Sequence, residues 1–562
     1  MFWRDAWRSA RVSRARPLGL LLMAASGMTV AAPVTPATAS GSTAMATIQF
    51  RVVPRNAANE AAVLRPLQEA LRGADAAPTN LEDVQRWSDR LTDALRQGGF
   101  PVGQVLMTES DWRAAATGGP VFTVYPGRVS AIVLKNKSRM ADARLQPLLN
   151  HALCGTTALD GVCLLQTARL ERATQLLQDL PGVAIASAPQ FSPGTGVGDI
   201  QVVFDLATKG KPLQADVILD NKGIPSTGST RLGVAASGNN YFGLGEDYAL
   251  ELLGTEKRMW TGSLQGGVPV GPSGLRLTGS VTRQQYTLNA VTPVAGVATT
   301  EQAGVRYPFR RGLDSNVWGG ASLLHSQATT DFHAFGFATH ATINSARFWV
   351  NADNGDRAQQ LRTNLWSVQG ALTMGHQSND DLLDASGPQR AGDYAKLTGS
   401  AFGRYALNPR GDWFATGRIT SQLTNRNLDA SEKLTVGGPD AVRAYRADEG
   451  SFDDGVIFNT GLYHRFSVGT GHQLQLGGFV DLGVGRVNHK PWPYWEASYF
   501  GVPHVTNVRR LSGYGLSVDW LTPIGATFSV SAAKPFGFSG TSWVEPGGKK
   551  PVQYWLSLTW NP

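Results

Sequence analysis

The chain has 562 residues, too many for one ordinary domain of about 100–200. Only 17% are charged, against about 25% in an average soluble protein, while glycine reaches 64 and tryptophan 15, a mix that suits many short strands and turns. The formal charge is +8, but Arg4, Arg8, Arg11, Arg14 and Arg16 against Asp5 put half of that excess in the first 32 residues, which removes the case for a nucleic-acid partner.

Those arginines precede an apolar run from Leu18 to Val30 and a stretch rich in Pro, Ala, Thr and Ser. This is the layout of a secretory signal peptide, placed over residues 1–39. Cleavage is expected after residue 39, at Ala37-Thr38-Ala39, or after residue 32, where the following Pro33 is unfavourable. At 13 residues the run falls short of the about 20 that a spanning helix needs. No later apolar run approaches that length, so a membrane protein with this sequence has to span as a barrel.

Residues 47–127 and 128–207 read as two α+β units of strand, helix, helix, strand and strand, with one mixed α+β domain as the alternative. In the first, Ile48 to Val53 alternates as a strand. Thr79-Asn80-Leu81-Glu82 reads as a capping box, followed by a stripe of Leu81, Val84, Trp87, Leu91 and Leu95 and a Gly98-Gly99 stop. Val121–Tyr125 and Ala131–Leu134 read as strands. In the second, a helix beginning near Thr167 carries Leu170, Ala173, Leu177 and Leu180 until Pro181-Gly182 stops it, and Val183–Ala186 and Ile200–Phe204 follow as strands. Cys154 and Cys163, with eight residues between them, read as a disulfide in an oxidising compartment; a metal pair would want His or further Cys, and none is near.

From residue 213 to 562 helical stripes give way to alternation. Tyr248, Leu250 and Leu252 share a face, as do Leu275, Leu277 and Val281. In the last segment Val552, Tyr554, Leu556, Leu558 and Trp560 alternate with Gln553, Trp555, Ser557 and Thr559. At about 22 residues per strand and connection, 350 residues accommodate about 16 transmembrane strands. A soluble sandwich or propeller explains neither the low charge nor the missing blade repeat.

In that frame Leu474, Leu476, Val480 and Leu482 face lipid, while Gln473, Gln475, Phe479 and Asp481 face the lumen. Asp481 at lipid depth would cost several kcal/mol, which forces its phase. Counting strands back from a periplasmic C-terminus makes the gaps at 537–551 and 488–504 external, and the turns at 468–471 and near Pro523 internal. The segment at about 425–454, which holds Gly437-Gly438-Pro439-Asp440-Ala441-Val442-Arg443-Ala444-Tyr445, then leaves the external side between strands 11 and 12. Folded inward, it would bring Arg443 to Asp481; otherwise both are solvated.

Val442-Arg443-Ala444-Tyr445 resembles the VRG(F/Y) signature, and Phe479-Val480-Asp481-Leu482-Gly483 the FxDxG signature, of the BamA/TpsB outer-membrane superfamily. Two N-terminal units before a 16-strand barrel look specifically like TpsB transporters of two-partner secretion, the haemolysin secretion/activation type. Further matches are Gly99-Phe100 with Gly127-Arg128-Val129, Leu180-Pro181-Gly182-Val183 with Pro193-Gly194, and Asn221-Lys222-Gly223 through Thr227-Gly228. The chain departs from the pattern in three ways. Ala444 replaces the usual Gly, so a positive φ there would be strained. The P-x-Q element is missing around Thr108–Ser110, and too few residues precede the first strand for the plug helix of some members.

The resemblance implies α+β periplasmic POTRA-like units followed by an all-β 16-stranded antiparallel barrel in the outer membrane of a Gram-negative cell. It implies that the units capture an unfolded exoprotein, that the chain threads through the pore without ATP, and that Val442, Arg443, Tyr445, Phe479, Asp481 and Gly483 keep the pore competent. Expected partners are the exoprotein, outer-membrane lipid and, during biogenesis, the barrel-assembly machinery; a monomer with no cofactor or metal is expected. A barrel-assembly insertase of the same superfamily is the competing reading, and two units rather than three or five favour secretion. No G-x-S-x-G, HExxH or Walker pattern supports an enzyme, and Asn379-Asp380-Asp381 reads as a solvated external loop before a calcium site.

Overall fold

Alternation of strand and helix in the N-terminal third builds two small three-stranded sheets, and the alternating remainder builds one closed barrel. The structure is a computed structural model, and it describes residues 48–54, 57–72, 78, 80–157, 159, 162–288, 294–332, 334–355, 364–382, 384–496, 506–536 and 552–561. The expected signal peptide, its cleavage sites, the position of any plug, and Thr79 lie outside those residues.

The first unit runs β1 (Gln49–Val52), α1 (Ala57–Leu71), α2 (Leu81–Gln97), β2 (Gln104–Leu106), α3 (Glu109–Gly118) and β3 (Val121–Tyr125). Its sheet order is β1-β3-β2, with β1 parallel and β2 antiparallel to β3. Asn80 caps α2, its side chain accepting from the Asp83 amide at 2.8 Å, so the cap sits one residue later than the sequence reading put it. Asn is at least as good a cap as Thr, which explains the shift. Leu81 is exposed as the first helical residue and leaves the apolar stripe, whereas Leu91 and Leu95 are fully buried against Val63, Leu67, Phe122 and Val124. The helix α3 went unread in the sequence; it occupies the segment where the P-x-Q element was sought, and Arg51 pairs with its Asp111 at 3.1 Å.

The second unit runs β4 (Arg128–Asn136), α4 (Asp142–Cys154), α5 (Thr167–Asp179), β5 (Val183–Pro193) and β6 (Asp199–Thr208), with sheet order β4-β6-β5. Leu145, Leu149, Leu153, Ala173 and Leu177 cover Val202, Phe204 and Leu206. Cys154 and Cys163 are disulfide-bonded, which ties the end of α4 to the segment leading into α5. Arg128 forks onto Asp199 with two 2.6 Å hydrogen bonds at the paired starts of β4 and β6. Those bonds hold the Asp199 carboxyl below the usual carboxylate range.

The barrel strands are β7 (Leu213–Asp220), β8 (Arg231–Asn239), β9 (Asp247–Thr255), β10 (Trp260–Pro269), β11 (Arg276–Leu288), β12 (Val294–Arg310), β13 (Asn316–Phe332), β14 (Phe337–Asp353), β15 (Leu365–Asn379), β16 (Gly392–Ala406) and β17 (Trp413–Thr424). Two short strands follow outside the barrel sheet, β18 (Leu434–Thr435) and β19 (Ser451–Phe452). The wall resumes with β20 (Asp454–Val468), β21 (His472–Arg486), β22 (Val508–Leu521), β23 (Ala526–Pro535) and β24 (Gln553–Trp560). Each of the sixteen wall strands pairs antiparallel with its neighbours, and β24 meets β7 over Ser557–Trp560 against Val217–Asp220. Leu250, Leu252, Leu277, Val281, Leu482, Tyr554 and Leu556 are exposed on the outer face, as a lipid-facing wall requires.

The connection 425–453 and the residues leaving β21 at 487–496 lie at one rim, and the tight turns 469–471 and 522–525 lie on the other. The second α+β unit docks at the tight-turn rim through α5. Arg311, just after β12, forks onto Asp179 at 2.7 and 2.5 Å and lies over the Trp318 ring, while Arg172 donates to the Pro308 carbonyl at 2.9 Å.

Candidate functional site

The site is built from the connection between β17 and β20, the eleventh and twelfth wall strands. Leaving Thr424, the chain pairs with itself as β18 against β19 and sends residues 436–450 into the barrel. There the backbone closes a tight fold: Val442 N donates to Val436 O at 2.8 Å and Gly438 N to Tyr445 O at 2.7 Å. Val436, Val442, Tyr445 and Phe452 are buried in a core completed by wall residues Ile457, Phe479, Leu511 and Ala533. The loop thus carries its own hydrophobic anchor, and burial of this kind is worth about 1.5–3 kcal/mol per large side chain.

Arg443 projects from this core onto Asp481 of β21. Its Nε and Nη2 donate to Asp481 Oδ2 and Oδ1 at 2.8 and 2.7 Å, and its backbone N donates to Oδ2 at 3.0 Å. Asn459, opposite Asp481 in register, donates to Oδ1 at 2.8 Å and to the Ala441 carbonyl at 2.8 Å. The guanidinium stacks on Phe479, 3.3 Å from the ring centroid, and the Arg443 carbonyl accepts from Trp555 Nε1 of β24 at 2.8 Å. Asp481 is 0% exposed and the Arg443 side chain 15%. A buried, bidentate pair with its remaining lone pairs and face occupied is the arrangement in which losing one partner costs about 3–5 kcal/mol.

Close approach explains two glycines. A Cβ on Gly483 would stand 2.8 Å from Val436 Cγ1 and 3.1 Å from Val442 Cγ2, so the wall must be bare where the loop lies against it. A Cβ on Gly513 would stand 2.5 Å from the Ala444 methyl. The backbone at Ala444 is not left-handed. The strain feared from Ala in place of Gly is therefore absent, and the methyl group is accommodated by the missing side chain of Gly513, which lies beside Asp481 in register.

The structure gathers Val442, Arg443, Tyr445, Phe479, Asp481 and Gly483 at one place, and joins Cys154 to Cys163 elsewhere. Asp380 is engaged by His340 at 2.7 Å and Asp381 by Arg390 at 2.9 Å, so neighbouring side chains occupy the carboxylates of the Asn379–Asp381 loop. Among the described residues no three of His, Cys, Asp and Glu gather as a metal site. Sequence reasoning missed Asn459, Gly513 and Trp555. For Trp555 a signal existed: a bulky aromatic in the lumenal phase of β24, between Gln553 and Ser557.

The family model described as "Haemolysin secretion/activation protein ShlB/FhaC/HecB" matches residues 198–497. The heme/hemopexin transporter protein HuxB of Haemophilus influenzae strain 86-028NP is 22% identical over 521 residues, covering 91% of this chain and 86% of HuxB. CdiB from Escherichia coli shares the fold with a TM-score of 0.70 at 16% identity, over 94% of this chain and 93% of that one. BamA from Haemophilus ducreyi lacking POTRA domains 1–3 superposes with a TM-score of 0.50 at 14% identity, over 92% of this chain and 100% of that one. The chain belongs to the haemolysin secretion/activation family ShlB/FhaC/HecB and is an outer-membrane β-barrel transporter of two-partner secretion.

Proposed function

We propose that the two N-terminal units are POTRA domains that bind an unfolded exoprotein in the periplasm, and that the Arg443–Asp481 pair holds the inward loop so that the pore can pass that exoprotein to the cell surface. The observation that carries the role of the pair is its completeness: both carboxylate oxygens of Asp481 are engaged, beside a buried apolar cluster of loop and wall. For capture, β5 is an 11-residue edge strand whose pairing with β6 shifts register twice, and an extended segment can add to such an edge. HuxB is named for heme/hemopexin, so an exoprotein with a host-protein ligand is one cargo class. Threading needs no catalytic step, and the chain is assigned none. We further assign it a monomer in the outer-membrane lipid, inserted there by the barrel-assembly machinery.

The test is complementation of a deletion strain. Wild-type protein restores one exoprotein to the medium and leaves other barrel proteins unchanged. Arg443→Ala inserts as a heat-modifiable barrel yet secretes nothing; normal secretion by that variant removes the role given to the pair. A general loss of outer-membrane proteins on deletion would instead mark an insertase.

A further inference from the structure

The tip of the inward loop is explained by Arg443 and Asp481, but its roots hold a second buried charge cluster that the tip does not use. Asp453, between β19 and β20, is 0% exposed. One carboxylate oxygen meets Lys433 Nζ at 3.3 Å and the Leu428 amide at 3.2 Å, and the other accepts from the His489 amide at 2.8 Å. Its backbone N donates to the Arg486 carbonyl at 3.0 Å and its carbonyl accepts from Gln422 Nε2 at 3.1 Å. Lys433 also donates to the Val487 carbonyl at 2.7 Å. Next to it, Asp454 accepts from the Thr424 amide and from His489 Nδ1, both at 2.8 Å.

Three separate chain segments therefore converge on adjacent carboxylates: the outgoing root 422–433, the returning root 453–454, and residues 486–490, which run on from β21. Asn427 and Lys490 add a reciprocal pair, Asn427 Nδ2 to Lys490 O and Lys490 N to Asn427 Oδ1, each at 2.8 Å. A carboxylate withdrawn from water is tolerated only with such partners, so the charge enforces the meeting rather than decorating it. The same strand serves both anchors. β21 holds the tip at Asp481 and meets the roots at its outer end, Arg486, five residues or about 16 Å further on at about 3.3 Å per residue, with residues 487–489 continuing the contact.

The geometry points to Asp453 as a second positioning residue for transport: it binds both roots and segment 486–490 into one body, and that body sets where Arg443 meets the wall. The inference rests on the transporter reading. Without the Asp453 charge the Arg443–Asp481 partners remain, but the roots are held by fewer bonds and the pair is broken more often.

The test uses the full-length protein in the deletion strain. Wild-type secretion is measured first, because failure there refutes the transporter reading and not this inference. Asp453→Asn is expected to insert as a heat-modifiable barrel, to secrete at least tenfold less exoprotein, and to expose Arg443 to trypsin added outside intact cells. Should that variant fail to insert, Lys433→Met, which leaves the backbone donors to Asp453 in place, gives the same three readouts. A merely stabilising role is separated by rescue. In Asp453→Asn carrying Asn427→Cys and Lys490→Cys, a short bismaleimide bridge restores secretion and trypsin resistance, whereas a monofunctional maleimide does not. Wild-type secretion and resistance in the charge variant, or a bridge that fails to restore either, overturns the inference.

Discussion

Two arginine–aspartate forks sit at opposite ends of this molecule, and they are built from the same parts. Arg443 grips Asp481, lies on Phe479 and is flanked by the Asn459 amide; Arg311 grips Asp179, lies on Trp318 and is flanked by Gln175. What differs is closure. Asp481 is 0% exposed and accepts a backbone amide besides, while the Asp179 side chain is 20% exposed at the end of α5. The first fork is a sealed lock inside one barrel; the second is a clamp between a helix and a rim. Water can replace a lost partner at the rim and cannot do so at the lock.

The largest expected effect tests the sealed lock. Asp481→Ala takes the carboxylate from the Arg443 guanidinium and backbone N and one of the two acceptors from Asn459, and costs about 3–5 kcal/mol, read as a lower thermal midpoint of the heat-modifiable band together with lost secretion. Exchanging the charges, Arg443→Asp with Asp481→Arg, does not repair it, because the Asn459 amide and the backbone N at 443 still need the carboxylate where it was. The same exchange at the rim, Arg311→Asp with Asp179→Arg, restores most of what Arg311→Ala loses; equal behaviour of the two exchanges would erase the distinction.

Gly483→Val follows in size. Its new side chain meets Val436 and Val442, and overpacking of this kind costs about 1–3 kcal/mol, with the loop tip becoming accessible to protease. Arg311→Ala comes next at about 1–2 kcal/mol, between an exposed pair and a sealed one because Arg311 is itself buried while Asp179 stays 20% exposed, and its readout is faster proteolysis of the second α+β unit with the barrel unaffected. The smallest effect is that of pH on that unit. The Asp199 carboxyl is held low by Arg128, so its contribution is full above the ordinary carboxylate pKa of about 3.9 and is lost as pH falls through the lower folded value. Unfolding of the second unit followed by near-neutral and acid proteolysis should show this loss below about pH 4 in wild type and not in Asp199→Asn.

The barrel was readable because its physics is local: period two decides which residues face lipid, and Asp481 could have only one phase. Strand counting likewise placed the root of the loop between the eleventh and twelfth strands, where it lies. What escaped needed knowledge of which strands become neighbours. Gly513 matters only because it lies beside Asp481 in register, and Ala444 only because Gly513 is bare. Trp555 stands 112 residues from the carbonyl it binds. The misplaced cap at Asn80 and the unread α3 were local failures of another sort, in which weak signals compete within one or two residues.

The hydrogen bond from Trp555 to Arg443 also sets an order of events in time. Every wall residue that completes the lock follows Arg443 in the chain: Asn459, Phe479, Asp481, Gly513 and, last, Trp555 on the strand that also closes the cylinder. A chain released before its final strand carries the loop without its last tether, so finishing the wall and fastening the loop coincide. The full set of contacts around Arg443 therefore reports closure of the cylinder, because its Trp555 tether forms only where β24 is in place.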